Sequence, residues 1–312
     1  MVNPVHLRTF MTVVRTGSFA DAARVLGYTS SAVSQQIAAL ERAVRLPLFE
    51  REARSVKATP IAELLAASAQ TALSAFDVFA SDVQALTDGR LGRVRVGSFP
   101  SASRGLLPDA MADFHGSFPE VGINLDEGEP DELISLLLAN EVDMSLVYRY
   151  DLVPSRWPRS LGVVELLEED LVLLLPEGHR LAESEDGRVE LAELRDLPWI
   201  SARQGTAGAR CMERLCAMRD FEPRVTIRSN DYDVVRGFVR ARLGVALVPA
   251  LSHVESPGVT AMRLDVPEVR RHVALLQHPR PTASQAALGE ALTKAAQSMV
   301  RQHEFVRTPS AS

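Results

Sequence analysis

Ser30, Ser31, Ser34 and Gln35 are spaced so that a helix would gather them on one face. The primary amide of Gln35 can donate to and accept from one adenine edge at once, while the serine hydroxyls read bases loosely or hold phosphates. Downstream, Arg51, Arg54 and Lys57 offer cations on a segment that closes at Thr59-Pro60, the spacing of a hairpin laid over phosphates or in an adjoining minor groove. This is chemistry for reading double-stranded DNA. It requires one helix to present Gln35 and a hairpin beside it to carry the cations.

The surrounding residues supply those elements. Leu7, Phe10, Val13 and Val14 recur at helical spacing, and Gly17-Ser18 ends that helix. Ser18 can cap a second helix striped by Ala22, Ala23 and Leu26, with Asp21 in its first turn; Gly27 suits its end. Thr29 or Ser30 can cap a third, whose Val33, Ile37, Leu40 and Val44 repeat at 4, 3, 4 and so face inward, opposite the polar set. Two helices joined by a short turn, the second polar at its N-terminal outer face, form a unit that enters the major groove. Charge follows the same division. Residues 1–60 hold eight basic and four acidic side chains, whereas the whole chain of 312 residues is at −6, so the remainder carries −10. A basic head on an acidic body is expected where only one part meets a polyanion.

The run Gly17-Ser18-Phe19-Ala20-Asp21-Ala22-Ala23-Arg24-Val25-Leu26, then Ser30-Ser31-Ala32-Val33-Ser34-Gln35-Gln36-Ile37, Leu40-Glu41 and Leu48-Phe49-Glu50-Arg51, resembles the LysR-type transcriptional regulators. The match is specific over about the first sixty residues and extends as a pattern along the chain. The resemblance implies an α/β protein: an N-terminal winged helix-turn-helix and a long linker helix joined to a two-lobed, periplasmic-binding-protein-like (type II) effector domain. This chain has Ser30 and Ser31 where the family often has Gln and Pro, Gln35 where it often has Arg, and Ile61-Ala62 where it usually has Ala-Gly. The first three departures bear on base readout, so the fold transfers more safely than an operator sequence.

The expected domains are 1–59 for the DNA-binding head, 60–89 for the linker helix and 90–312 for the effector domain, with lobe I about 93–168 and 269–303 and lobe II about 169–268. From Ala58 to Gly89 there is no Lys or Arg, so this stretch should avoid DNA. Ile61, Leu65, Ala69, Ala72, Phe76, Phe79, Val83 and Leu86 repeat near a 3.5-residue period, an apolar seam for a partner helix. About 27 residues would span on the order of 40 Å. Pairing two copies through that seam would present two recognition helices to an inverted-repeat operator. The family resemblance adds a homodimer and, commonly, a homotetramer made as a dimer of dimers. The alternative is packing of this helix on the chain's own body.

After Gly89 short β-branched runs alternate with helices, which signals parallel-sheet units, and two such lobes leave a cleft. Strands are expected at Val94–Gly97, Val121–Leu125, Met144–Val147, Leu171–Leu175, Trp199-Ile200, Val225–Ile227, Val245–Val248 and Val273–Gln277, with a helix after Pro108 and another over Ser284–Gln302. Loops Ser98–Ser103 and Ser201–Thr206 follow two of the strands and are rich in hydroxyls; the first could seat a carboxylate or another anion. The family's inducer pocket lies between these loops, which carries Ser101 and Thr206 over as effector contacts. Ser103, Glu129, Tyr148, Arg203 and Ser229 are the other candidates. Arg203 would attract an acidic ligand, whereas Asp126, Glu127 and Glu129 would repel one, and both readings stand.

Other chemistry finds little support. Peroxide-sensing relatives keep two cysteines in the second lobe, and this chain has Cys211 and Cys216. Five residues apart on a helix, they point about 140° apart, and Ala207 occupies the reactive thiol's approximate position. No phosphate-loop, nucleophile-elbow or His-Glu-x-x-His signature is present, so no enzyme is expected. Two cysteines and seven scattered histidines give no structural metal site, and no cofactor is expected beyond a small-molecule effector. The absence of an export signal and of about 18 uninterrupted apolar residues predicts a cytoplasmic protein without a membrane span. It also weighs, with the basic head, against a transporter's two-lobed solute-binding protein.

Overall fold

The computed structural model describes residues 2–51, 56–88, 92–184, 187–266 and 269–310. Contacts divide the chain into two compact units, Met1–Leu91 with Leu138–Asn140, and Gly92–Leu137 with Glu141–Ser312.

The first unit opens with α1 (Pro4–Thr16), α2 (Phe19–Leu26) and α3 (Ser30–Val44). Each begins at a side-chain cap: Asn3 accepts from the Val5 amide at 2.9 Å, Ser18 from Asp21 at 3.2 Å and Thr29 from Ala32 at 3.2 Å. Gly17 and Gly27 end the first two helices in the left-handed region, at φ 65° and 69°, where a Cβ would add strain. Phe10, Val13, Ala22, Ala23, Val33, Ile37 and Leu40 close a core from three directions. A two-stranded hairpin, β1 (Phe49–Arg51) and β2 (Val56–Ala58), follows with Phe49 opposite Ala58 and Arg51 opposite Val56. It is tied to α3 by Glu41, whose carboxylate accepts the Leu48 and Phe49 amides at 2.8 and 3.3 Å.

The 29-residue α4 (Pro60–Asp88) starts at a Thr59 cap. Its early half packs on the head through Ala62 and Ala69, both buried, and Arg8 of α1 pairs with Asp77. The expected single seam is therefore divided. Ala69 belongs to the head's own core, and Leu73, outside the expected repeat, is buried as well. Phe76, Phe79 and Val83 stay exposed, Phe79 at 65%. The expected seam residue Leu86 falls where side chains are not described. Residues Pro60–Ser81 are also long and apolar enough on average to cross a membrane, with mean hydropathy 1.2, although Glu63 and Asp77 interrupt the run. The count of uninterrupted apolar residues does not capture this.

The second unit runs β3 (Gly92–Ser98), α5 (Pro100–Gly105), α6 (Leu107–Ser117), β4 (Val121–Glu127), α7 (Pro130–Leu138), β5 (Met144–Tyr150), β6 (Gly162–Pro176), β7 (Arg188–Glu190), β8 (Pro198–Ser201), α8 (Ala207–Ala217), β9 (Arg224–Arg228), α9 (Tyr232–Arg240), β10 (Val245–Pro249), β11 (Val259–Asp265), β12 (Arg270–Gln277), α10 (Ala283–Gln302) and β13 (Val306–Arg307). Strand order is β4-β3-β5-β12-β6-β10-β8-β9. The first lobe has β3 parallel to β4 and β5, with β12 antiparallel between β5 and β6. In the second, β10 and β11 run antiparallel to β6, and β8 lies parallel to both β10 and β9. The chain crosses between lobes twice, along β6 and between β11 and β12.

Three expectations change. The strand expected at Leu171–Leu175 is the end of the 15-residue β6, which serves both sheets. The loop expected at Ser98–Ser103 is helical from Pro100, because proline fits the first helical turn, and the helix expected after Pro108 already runs from Leu107. The second lobe also gains β7 and β11.

Candidate functional site

On the head, the stripe Val33, Ile37 and Leu40 is buried, which turns the other side of α3 outward. Ser30, Ser31 and Gln35 are exposed along it and Ser34 is half-buried. Lys57 is exposed on β2, and Arg51 lies on β1; Arg54 lies outside the described residues. The wing is joined to the C-terminal part of α3 through Glu41, and Gln35 and Lys57 belong to one compact unit.

In the second unit a cavity of about 220 Å³ opens between the lobes. Its floor is one rung of the sheet: Tyr150 on β5, Arg271 on β12 and Glu169 on β6 are direct neighbours. Arg271 and Glu169 are 1% and 0% exposed. The Nε and Nη2 of Arg271 both reach Glu169 Oε1 at 2.6 Å, and Nη2 donates to Ser101 Oγ at 2.7 Å. The second Glu169 oxygen accepts the Leu251 amide at 2.6 Å. The guanidinium also lies over the rings of Phe99 and Tyr148, 5.0 and 4.9 Å from their centroids. Burial alone would weaken the proton's hold on Arg271; Glu169 outweighs it, with the neighbouring tyrosines, and keeps the guanidinium above its ordinary range. Burial lifts Glu169 in turn, opposed by Arg271 and the Leu251 amide.

Across the cavity Glu129 accepts the Tyr148 hydroxyl at 2.6 Å and the Asn230 amide at 3.1 Å, a bond from one lobe to the other. Burial first, then Tyr150 and Glu129, hold Tyr148 well above the usual phenol range, so it stays a proton donor. Tyr150 is 3% exposed and lines the cavity, yet no described residue hydrogen-bonds its hydroxyl.

Of the residues singled out in the sequence, Ser101, Glu129, Tyr148 and Thr206 line this cavity. Thr206 caps α8, accepting the Ala209 amide at 3.3 Å while donating to the Arg203 carbonyl at 2.8 Å. Ser103 is half-buried on α5 and lies off the cavity lining, as does the exposed side chain of Arg203. Ser229 lines an adjoining void of about 30 Å³ that shares Tyr150, Ala202, Gly208 and Tyr232 with the cavity. Sequence patterns did not single out Arg271, Glu169, Tyr150, Asn230, Tyr232 or Glu132. Tyr150 lies two residues beyond Tyr148 on the same face of a strand, a usable signal, and Asn230 follows Ser229. Nothing local announces a pair 102 residues apart.

Cys211 and Cys216 are free and buried on α8, and burial pushes each thiol up to about 12. At neutral pH roughly one such thiol in 10⁵ is the reactive thiolate. Native protein should therefore react with Ellman's reagent at least 100-fold more slowly than protein in denaturant, and the wild type, with both cysteines present, should bind DNA equally well before and after peroxide treatment. Rapid labelling of the folded protein would revive a redox switch. Among the described residues no group of three or more His, Cys, Asp or Glu could hold a metal ion.

A winged helix-turn-helix head and a two-lobed body with a cavity between its lobes define a one-component regulator that reads DNA and senses a ligand. The head matches the family profile described as the bacterial regulatory helix-turn-helix protein, lysR family, over residues 4–63, and the body matches the LysR substrate binding domain over residues 87–297. The chain belongs to the LysR family of transcriptional regulators and carries that family's effector-binding domain. It is 30% identical over 274 residues to the transcriptional dual regulator GltC of Bacillus subtilis (strain 168), covering 87% of this chain and 89% of that one. Its fold is shared by a full-length, singly substituted OxyR from Pseudomonas aeruginosa, at 19% identity and a TM-score of 0.68 over 100% of this chain and 99% of that one. It is also shared by full-length CbnR complexed with its target DNA, at 20% identity and a TM-score of 0.55 over 94% and 99%.

Proposed function

We propose that this regulator binds an inverted-repeat operator as a homodimer held by the exposed part of α4, works in the cytoplasm, and changes its grip on DNA when a small molecule occupies the cavity between its lobes. The observation that supports it most is the outward polar face of α3, with Gln35 and Ser31 exposed over a fully buried stripe. Ser31 and Gln35 meet base edges in this reading, and Lys57 with Arg51 and Arg54 meets phosphates. A ligand can shift the DNA-bound population only by as much as its affinity differs between the two states, so occupancy must favour one arrangement of the lobes.

Gln35→Ala is expected to cost about 1–3 kcal/mol on the preferred operator and much less on operators altered at the one or two base pairs it reads. Lys57→Ala should instead weaken every operator alike and reduce the salt slope by about 1. Fluorescence anisotropy across an operator library at several salt concentrations separates the two. Equal losses on every sequence for both variants would overturn this division of roles.

A further inference from the structure

Resting on the reading that the cavity between the lobes is the effector site, we propose that it selects a small compound bearing a primary ammonium group, seated against Glu129 with the Tyr150 hydroxyl as a second partner. The charges of the lining decide the sign of the guest. Among the described residues Arg271 is the one cation there, and that guanidinium is largely engaged: Nε and Nη2 bind Glu169, Nη2 also binds Ser101, and the rings of Phe99 and Tyr148 cover it. Glu127, Glu129 and Glu132 line the same space. Glu132 leans back over the loop, its Oε2 only 2.7 Å from where a Cβ on Gly128 would stand. A carboxylate ligand would thus meet three carboxylates against one guanidinium whose charge Glu169 already offsets.

An ammonium meets the reverse. Glu129 accepts one bond at each oxygen, from Tyr148 and from Asn230, and a carboxylate has acceptor sites to spare. The second observation is the unpartnered Tyr150 hydroxyl. It is buried and faces Gly208 on the opposite wall, 3.5 Å from where a Cβ there would stand. The hydroxyl itself borders the cavity, where an N–H from a ligand can reach it. The tyrosine rings around it favour a cation further. About 220 Å³ accommodates a compact monoamine.

The experiment is isothermal titration of the full-length protein with matched pairs: butylamine and valerate, benzylamine and benzoate, phenethylamine and phenylacetate. At least one amine should bind at least tenfold more tightly than its carboxylate partner, and added salt should weaken it. Glu129→Gln should weaken that amine at least tenfold and Tyr150→Phe severalfold. Glu132→Gln, at an exposed position where folding is not at stake, should weaken it as well. Carboxylates that bind the wild type as tightly as amines, and lose affinity in Tyr150→Phe, would leave the cavity as the effector site and overturn the charge assignment. An amine that binds equally well to all three variants would overturn it too. Binding by no member of either set would overturn both the assignment and the reading of the cavity.

Discussion

Replacing Arg271 with methionine is expected to cost the second unit about 3–5 kcal/mol, the range found when one partner of a buried ion pair is removed. The carboxylate of Glu169 would remain fully buried with only the Leu251 amide for a partner, and Ser101 would lose its donor. Glu169→Leu should be comparably damaging, because it strands the guanidinium. The double variant Arg271→Met/Glu169→Leu should recover most of the loss, since neither charge is then left in a dry site. Urea unfolding of the four proteins forms a double-mutant cycle. Additive losses in the double variant would mean that the two residues act separately, contrary to the 2.6 Å contact between them.

Phe76→Asp/Phe79→Asp is expected to turn a dimer into a monomer and to lower operator affinity by roughly 10²–10⁴, the gain that linking two binding modules supplies. Both rings are exposed within one chain, so the variant should keep its fold. Two carboxylates on each copy would face two on the other across the seam. Sedimentation and operator titration check the two halves together. A variant that remained dimeric would place the interface elsewhere; one that became monomeric without losing affinity would mean that a single head suffices.

The head was legible because its signals are local. Ser18 and Thr29 lie within three residues of the amides they cap, and each stripe of apolar residues closes within one helix. The wing followed from two short runs around a cationic segment. The linker helix was legible as a helix, but its partner was not: a repeat near 3.5 residues fits any neighbouring helix, and the head of the same chain takes Ala62 and Ala69. β6 was half-missed for a physical reason. Glu165, Glu168, Glu169 and Asp170 put charges where a buried strand shows none, yet each meets an arginine from another part of the chain: Arg149, Arg270, Arg271 and Arg307. Strand propensity and charge count do not contain those partners. The cavity shows the same limit, since Ser101 and Thr206 could be named from the family resemblance and Tyr148 and Glu129 as strand-end residues, while the rung beneath them depends on pairing between β5, β12 and β6.

β6 has a mechanical consequence. Fifteen residues at about 3.3 Å each make a rod of roughly 50 Å, fixed by one set of ladder bonds along its first part and by another along its last. The Arg271–Glu169 contact lies near the middle, three residues past an extra residue at Leu166 where the β12 register shifts and the twist tightens. A bend of about 10° at that pivot would swing a tip roughly 25 Å away by about 4 Å, close to one residue's rise along a strand. A lever of this length turns a sub-ångström adjustment beside a small guest into a displacement on the scale of a subunit contact.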